Sequence, residues 1–245
     1  MKAMVFAAGL GTRLRPFTDT RPKALVPVQD TPLLEIAIRR LILFGCRDII
    51  INIHHFGEQI VAFLQSKNNF GVRIEISDER NLLLDTGGAL KKAAWFLDDA
   101  PFILLNADVL SDIDLGALYR NHLTTGAMAT LAVRHRPSSR MLLFDETGQL
   151  CGWRNSQTGE EKWARTTHSS SQAWSFSGIQ VINPSFFSFF PADRDVFSII
   201  DTYLQAAASE KILAYPHDSD IWLDVGRPEQ IEKAAAVLHQ VLPPL

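Results

Sequence analysis

The apolar stretch Lys2–Ala8 runs into the segment Ala7-Ala8-Gly9-Leu10-Gly11-Thr12-Arg13-Leu14-Arg15-Pro16. Two glycines past a buried strand permit positive φ and close backbone approach, so several N–H groups can converge on one anion. Arg13 and Arg15 add charge-assisted donors. Arg21-Pro22-Lys23-Ala24-Leu25-Val26-Pro27-Val28 follows, and its prolines restrict the backbone that presents Lys23. Four cations within eleven residues suit a polyphosphate; the plainer explanation is a turn carrying solvated basic residues. Leu14 stands where a third glycine of GxGxxG would be, which argues against a dinucleotide fold. No GxxxxGK[ST] run is present, so the chain is not a P-loop kinase or ATPase.

Two carboxylates sit at the ends of apolar runs. Asp108 closes Leu104-Leu105-Asn106-Ala107-Asp108, and Asp224 closes Ile221-Trp222-Leu223-Asp224 ahead of Val225-Gly226-Arg227-Pro228. Paired carboxylate oxygens with phosphate oxygens suit Mg²⁺; each aspartate alone could equally form a turn or cap a helix. Leu84-Asp85-Thr86-Gly87-Gly88-Ala89-Leu90 reads either as a glycine-rich helix start capped by Thr86 or as a surface cleared for a nucleobase. Trp174-Ser175-Phe176-Ser177-Gly178-Ile179 reads as a core strand with a glycine bulge. His54 and His55 follow a strand and are given no catalytic role.

The pair Ala7–Pro16 and Pro22-Lys23-Ala24-Leu25-Val26-Pro27 resembles the signature of sugar-1-phosphate nucleotidylyltransferases. The resemblance spans Met1 to about Gln240. It implies a nucleotide-diphospho-sugar transferase fold, Mg²⁺ as cofactor, and a nucleoside triphosphate and a sugar 1-phosphate as substrates. It implies Arg13 and Lys23 as catalytic residues and Asp108 and Asp224 as metal ligands. Ala7, Ala8, Gly9, Gly11, Thr12, Thr86 and Gly87 would hold the nucleotide, and Asn106, Ser177 and Gly178 the sugar. The wider family carries a Glu-Lys-Pro segment whose lysine meets the sugar phosphate; here Trp153-Arg154-Asn155-Ser156 stands there without it, leaving Arg154, Lys162 or Arg165 as substitutes. Short members lacking that lysine are most similar to the N-acetylmuramate 1-phosphate uridylyltransferase group of cell-wall recycling. Alternatives are a mannose or heptose 1-phosphate guanylyltransferase, a phosphocholine cytidylyltransferase, and a catalytically silent nucleotide-sugar-binding module.

The elements that must position these residues follow from periodicity. Strand and helix alternate up to about residue 135, implying crossover units and a mostly parallel sheet with ligands beyond the strands' carboxyl ends. Thr31 is expected to cap a helix that has Pro32 at its first position and is ended by Gly45. Asp48–Ile53 reads as a strand buried on both faces. Beyond residue 140 a hairpin around Asp145–Gly148, a polar flap over Ser156–Gln172 and a closing helix from Pro228 are expected. The fold class is therefore α/β, a Rossmann-like doubly wound sheet with helices on both faces and a small β-rich sugar-binding subregion. A single domain is expected, with a nucleotide-binding half at 1–135 and a sugar-binding half at 136–245. Its length leaves no room for a C-terminal β-helix.

Composition narrows the class further. The formal charge of −3 gives no basic field for nucleic acid or a membrane surface. The apolar runs fall far short of the ~20 residues that span a bilayer, and the N-terminus has no signal-peptide pattern. Cys46 and Cys151 are isolated among apolar residues, as in a reduced compartment. A cytoplasmic protein is expected; the oligomeric state is left open.

Overall fold

The computed structural model describes residues 1–165 and 171–242. Its elements divide into two compact units, and neither is continuous in sequence. The first contains residues 1–83, 104–115 and 220–245; the second contains residues 84–103 and 116–219. The chain thus passes between units four times.

In the first unit the strands Lys2–Phe6, Asp48–Ile53 and Arg73–Asp78 run parallel, with Val5 beside Ile51 and Ile51 beside Ile76. The strand Phe102–Asn106 lies on the other side of Lys2–Phe6 and brings its carboxyl end into this unit. Ile49, Ile50, Ile51 and Ile53 are all buried, as a strand covered on both faces requires. The helices Leu33–Leu43, Gly57–Ser66 and Pro228–Val241 belong to this unit.

The long connection Gly9–Asp30 is not structureless. It contains 3₁₀ turns at Thr12–Leu14 and Lys23–Leu25 and a miniature hairpin pairing Pro27–Val28 with Thr31–Pro32. That hairpin corrects the expectation for Thr31. The helix begins at Leu33 with no side-chain cap, because the Leu33 N–H donates to the Val26 carbonyl at 3.1 Å. A backbone acceptor has taken the place of the hydroxyl.

A separate antiparallel pair joins Val109–Ser111 to Trp222–Asp224, with Asp224 opposite Val109. Leu14, Val26, Val28, Leu33, Leu110, Val225, Ala234, Leu238 and Val241 close a small core beneath it. Leu14, Val26 and Val225 are fully buried. Burying three such side chains contributes roughly 1.5–3 kcal/mol each, which ties the loops that carry Arg13, Lys23 and Asp224 to one anchor.

The second unit is largely antiparallel. The strands run in the order Glu161–Trp163, Leu150–Asn155, Arg140–Phe144, Gln172–Ile182 and Ala129–Arg134, with Ile212–Pro216 joining Ala129–Arg134 in parallel. The sheet content is therefore mixed rather than mostly parallel. The hairpin turns at Asp145–Gln149, where the Asp145 carboxylate accepts the N–H groups of Thr147 and Gln149. Helices Asp85–Ala93 and Ile199–Ala207 belong here. Of the expected flap, Glu161–Trp163 forms a short strand, and residues 166–170 lie outside the described residues. Among the described residues no helix is long and apolar enough to cross a membrane.

Candidate active site

The antiparallel pairing of Val109–Ser111 with Trp222–Asp224 brings Asp108 and Asp224 to one place, and the Val225 N–H donates to the Asp108 carbonyl at 2.9 Å. Lys23 Nζ donates to Asp108 Oδ2. The two side chains are 14 % and 22 % exposed, so this pair is shielded well beyond an ordinary surface bridge. Lys23 is held there by its neighbours: Ala24 is buried, and the turn Lys23–Leu25 is closed by the Val26 N–H to the Lys23 carbonyl at 3.0 Å.

Arg13 reaches the same corner. A Cβ built on the buried Gly226 would lie 2.9 Å from Asp224 Oδ1 and 3.0 Å from Arg13 Nη2. Gly226 is therefore required for close packing of a carboxylate and a guanidinium.

Asp224 Oδ1 is buried and accepts no hydrogen bond. Burial, and then the Asp108 carboxylate, push the Asp224 carboxyl pKa up, while Lys23 and Arg13 pull it down. A buried carboxylate oxygen without a donor, facing a second carboxylate, fits a hard divalent cation. Among the described residues no group of three or more His, Cys, Asp or Glu side chains could hold a metal ion. The donor set of Asp108 and Asp224 suits Mg²⁺, which keeps waters and takes substrate phosphates as its remaining ligands.

The glycines of the first loop differ in purpose. Gly11 has φ +65°, and a Cβ there would lie 2.9 Å from Lys23 Cβ and Thr18 Cγ2. The protein's own packing demands it. Gly9 is exposed with nothing within 4 Å of a built Cβ, so no internal packing requires a glycine there. Ala7 and Ala8 are buried at the strand's exit and Thr12 is exposed. Asn106 ends its strand two residues before Asp108.

In the second unit the expected residues have protein partners. A Cβ on Gly87 would strike the Phe197 ring, and one on Gly88 the Asp195 carbonyl. Both glycine N–H groups donate to the Phe197 carbonyl, at 2.9 and 3.3 Å. Helix packing thus gives these glycines a reason unconnected with a nucleobase. Thr86 does not cap: it lies inside the helix Asp85–Ala93, and its Oγ1 accepts the Ile199 N–H at 3.1 Å. Ser177 Oγ is buried 2.7 Å from His217 Nε2, and Gly178 has φ +72° where the register of Gln172–Ile182 against Ala129–Arg134 shifts. Of the proposed replacements for the family lysine, Arg154 pairs with Glu161 at 2.6 Å and Lys162 with Asp201 at 3.0 Å.

Sequence reasoning missed Asn52 and Glu79. Asn52 is a lone amide inside the isoleucine run Ile49–Ile53, and that interruption was the available signal. His54 is a packing residue, its Nδ1 2.7 Å from the Glu79 carbonyl.

A shielded lysine and a nearby arginine facing paired carboxylates at strand ends, on an α/β frame, are the equipment of nucleotidyl and phosphoryl transfer. A nucleotidyl transferase family model matches residues 2–241, and the chain belongs to that family. A UTP–glucose-1-phosphate uridylyltransferase of Synechocystis is 28 % identical over 93 % of this chain and 60 % of its own length. The chain thus spans about three fifths of that relative. An N-acetylmuramate alpha-1-phosphate uridylyltransferase of Neisseria meningitidis is 29 % identical over 97 % of this chain and 98 % of its own length. Further relatives are named as mannose-1-phosphate guanyltransferases. Among solved structures, a putative glucose-1-phosphate thymidylyltransferase from Bacillus anthracis superposes with a TM-score of 0.78 at 19 % identity. It covers 97 % of this chain and 94 % of its own, and it shows the fold.

Proposed function

We propose that this protein transfers a nucleotidyl group from a nucleoside triphosphate to a sugar 1-phosphate, releasing pyrophosphate, with UTP and N-acetylmuramate 1-phosphate as the substrate pair. The observation that carries the chemistry is the meeting of Lys23, Asp108, Asp224 and Arg13. The observation that favours this pair of substrates is the Neisseria relative, which matches 97 % of this chain with 98 % of its own length.

The sugar phosphate oxygen attacks the α-phosphorus in line; the new P–O bond forms as the bond to the bridging oxygen of pyrophosphate breaks. The nucleophile is already an anion at neutral pH, so no general base is needed. Repulsion between two polyanions is the barrier, and positioning and fixed charge lower it. Arg13 neutralises the β- and γ-phosphates. Lys23 stabilises charge at the α-phosphate. Ala7, Ala8, Gly9, Gly11 and Thr12 line the nucleotide's approach, Gly9 because no protein atom claims the space above it. Asp108 and Asp224 would hold Mg²⁺, which supplies charge neutralisation between the phosphates when bound. Asn106 shapes the sugar side, while Thr86, Gly87, Ser177 and Gly178 act through the elements they pack in the second unit.

A guanylyltransferase is the second reading, favoured by the relatives that carry that name. A matrix of UTP, GTP, CTP and dTTP against N-acetylmuramate, glucose and mannose 1-phosphates, with pyrophosphate as readout and EDTA as control, separates the two. The highest kcat/KM is expected for UTP with N-acetylmuramate 1-phosphate. A preference for GTP with mannose 1-phosphate would replace that assignment. Nucleotide binding without pyrophosphate release would leave only a binding module.

A further inference from the structure

The amide of Asn52 stands between a buried carboxylate and the first residue of the glycine loop. The Ala7 N–H donates to Asn52 Oδ1 at 2.7 Å. Asn52 Nδ2 donates to Glu79 Oε1 at 2.8 Å. Asn52 is 3 % exposed and Glu79 1 %. A buried carboxylate is costly and calls for a purpose. Its backbone is clamped too: the Glu79 N–H donates to the Ile53 carbonyl at 2.8 Å, and His54 Nδ1 donates to the Glu79 carbonyl. A carbonyl can only accept, so the proton of a neutral His54 sits on Nδ1.

An asparagine amide is ambiguous by itself, since its oxygen and NH₂ exchange places by a flip. A carboxylate accepts only. Glu79 therefore draws the NH₂ to itself and turns the oxygen toward Ala7. The flipped amide would set NH₂ against N–H, leaving buried donors facing each other. We propose that Glu79 is a positioning residue for the nucleotide loop: through Asn52 it fixes the Ala7 amide and so the direction in which the chain leaves its strand toward Gly9. The proposal rests on the reading of Ala7–Thr12 as the nucleotide site.

Reversing the polarity of the relay tests it. Glu79→Met removes the acceptor at similar volume. Asn52→Asp sets two carboxylates face to face. Asn52→Asp combined with Glu79→Gln restores one donor and one acceptor, now with the charge on position 52, whose second oxygen still accepts from Ala7. Two readouts are taken: hydrogen exchange at the Ala7 amide, and KM for UTP against KM for the sugar phosphate. In Glu79→Met and in Asn52→Asp, Ala7 exchange is expected to speed up. KM for UTP is expected to rise on the order of ten-fold, with kcat and the sugar-phosphate KM within about two-fold. The double variant is expected to recover both. Unchanged Ala7 exchange in Glu79→Met, or a double variant no better than Asn52→Asp, overturns the relay. A wild-type protein that neither binds nor turns over nucleoside triphosphate, with exchange behaving as expected, overturns the nucleotide reading instead.

Discussion

Lys23 carries the largest share of the proposed chemistry, and its position shows why a single residue can matter. Its ammonium is shielded, paired to Asp108 and held on a turn that proline begins. Lys23→Ala is expected to lower kcat by about 10²-fold or more while leaving the fold intact, since a transition-state charge is lost from a site already built. Steady-state kinetics beside a circular dichroism melt check this; unchanged kcat would remove the assignment. Gly226 makes a complementary case. An added methyl would press on Asp224 Oδ1 and on Arg13, one a buried oxygen and the other a flexible, exposed side chain. Gly226→Ala should cost roughly 10- to 100-fold in kcat/KM through misplacement of those two groups. Wild-type kinetics in that variant would mean that the crowding is relieved without cost.

At the scale of elements, the helix Leu115–Thr125 buries an imidazole that has no part in the site. His122 is 1 % exposed, its Nδ1 lies 3.0 Å from Thr130 Oγ1, and burial pushes its pKa down to about 4. The unfolded chain takes up this proton near pH 6.5, the folded protein only near 4. Stability from this residue is thus complete above about pH 6.5 and is lost progressively as pH falls toward 4. Urea titrations at pH 7 and pH 4.5 should differ by about 2–3 kcal/mol more for the wild type than for His122→Asn. Equal differences would exclude His122 as the source. Elements also explain what was legible. Alternating strands and helices, the Asp145 turn and the helix from Pro228 follow from local patterns. The start of the helix Leu33–Leu43 did not, because its first N–H is satisfied by Val26 across a hairpin that no periodicity announces. Gly87 and Gly88 could be read two ways until Phe197 and Asp195, more than a hundred residues later, were found against them.

For the molecule as a whole, the discontinuous units have a consequence for folding. Residues 1–135 lack Val225, Ala234, Leu238 and Val241, which complete the core under Leu14, Val26 and Val28. Expressed alone, that fragment is expected to be protease-sensitive and to melt without cooperativity, whereas the full chain melts sharply. A cooperative transition in the fragment would show that the closing helix is dispensable.

The sequence by itself determined the chemistry on offer: a glycine-and-cation loop, strand-end aspartates, an α/β alternation and the family these compose. Each is local, written in residue type and short spacing. Only the tertiary structure decided which of them meet. Asp108 joins Asp224 because Val109–Ser111 pairs with Trp222–Asp224, and Ala7 is governed by Glu79 because two parallel strands set Asn52 between them. Such pairings depend on burial and backbone hydrogen bonding between distant segments, and spacing along the chain does not record them.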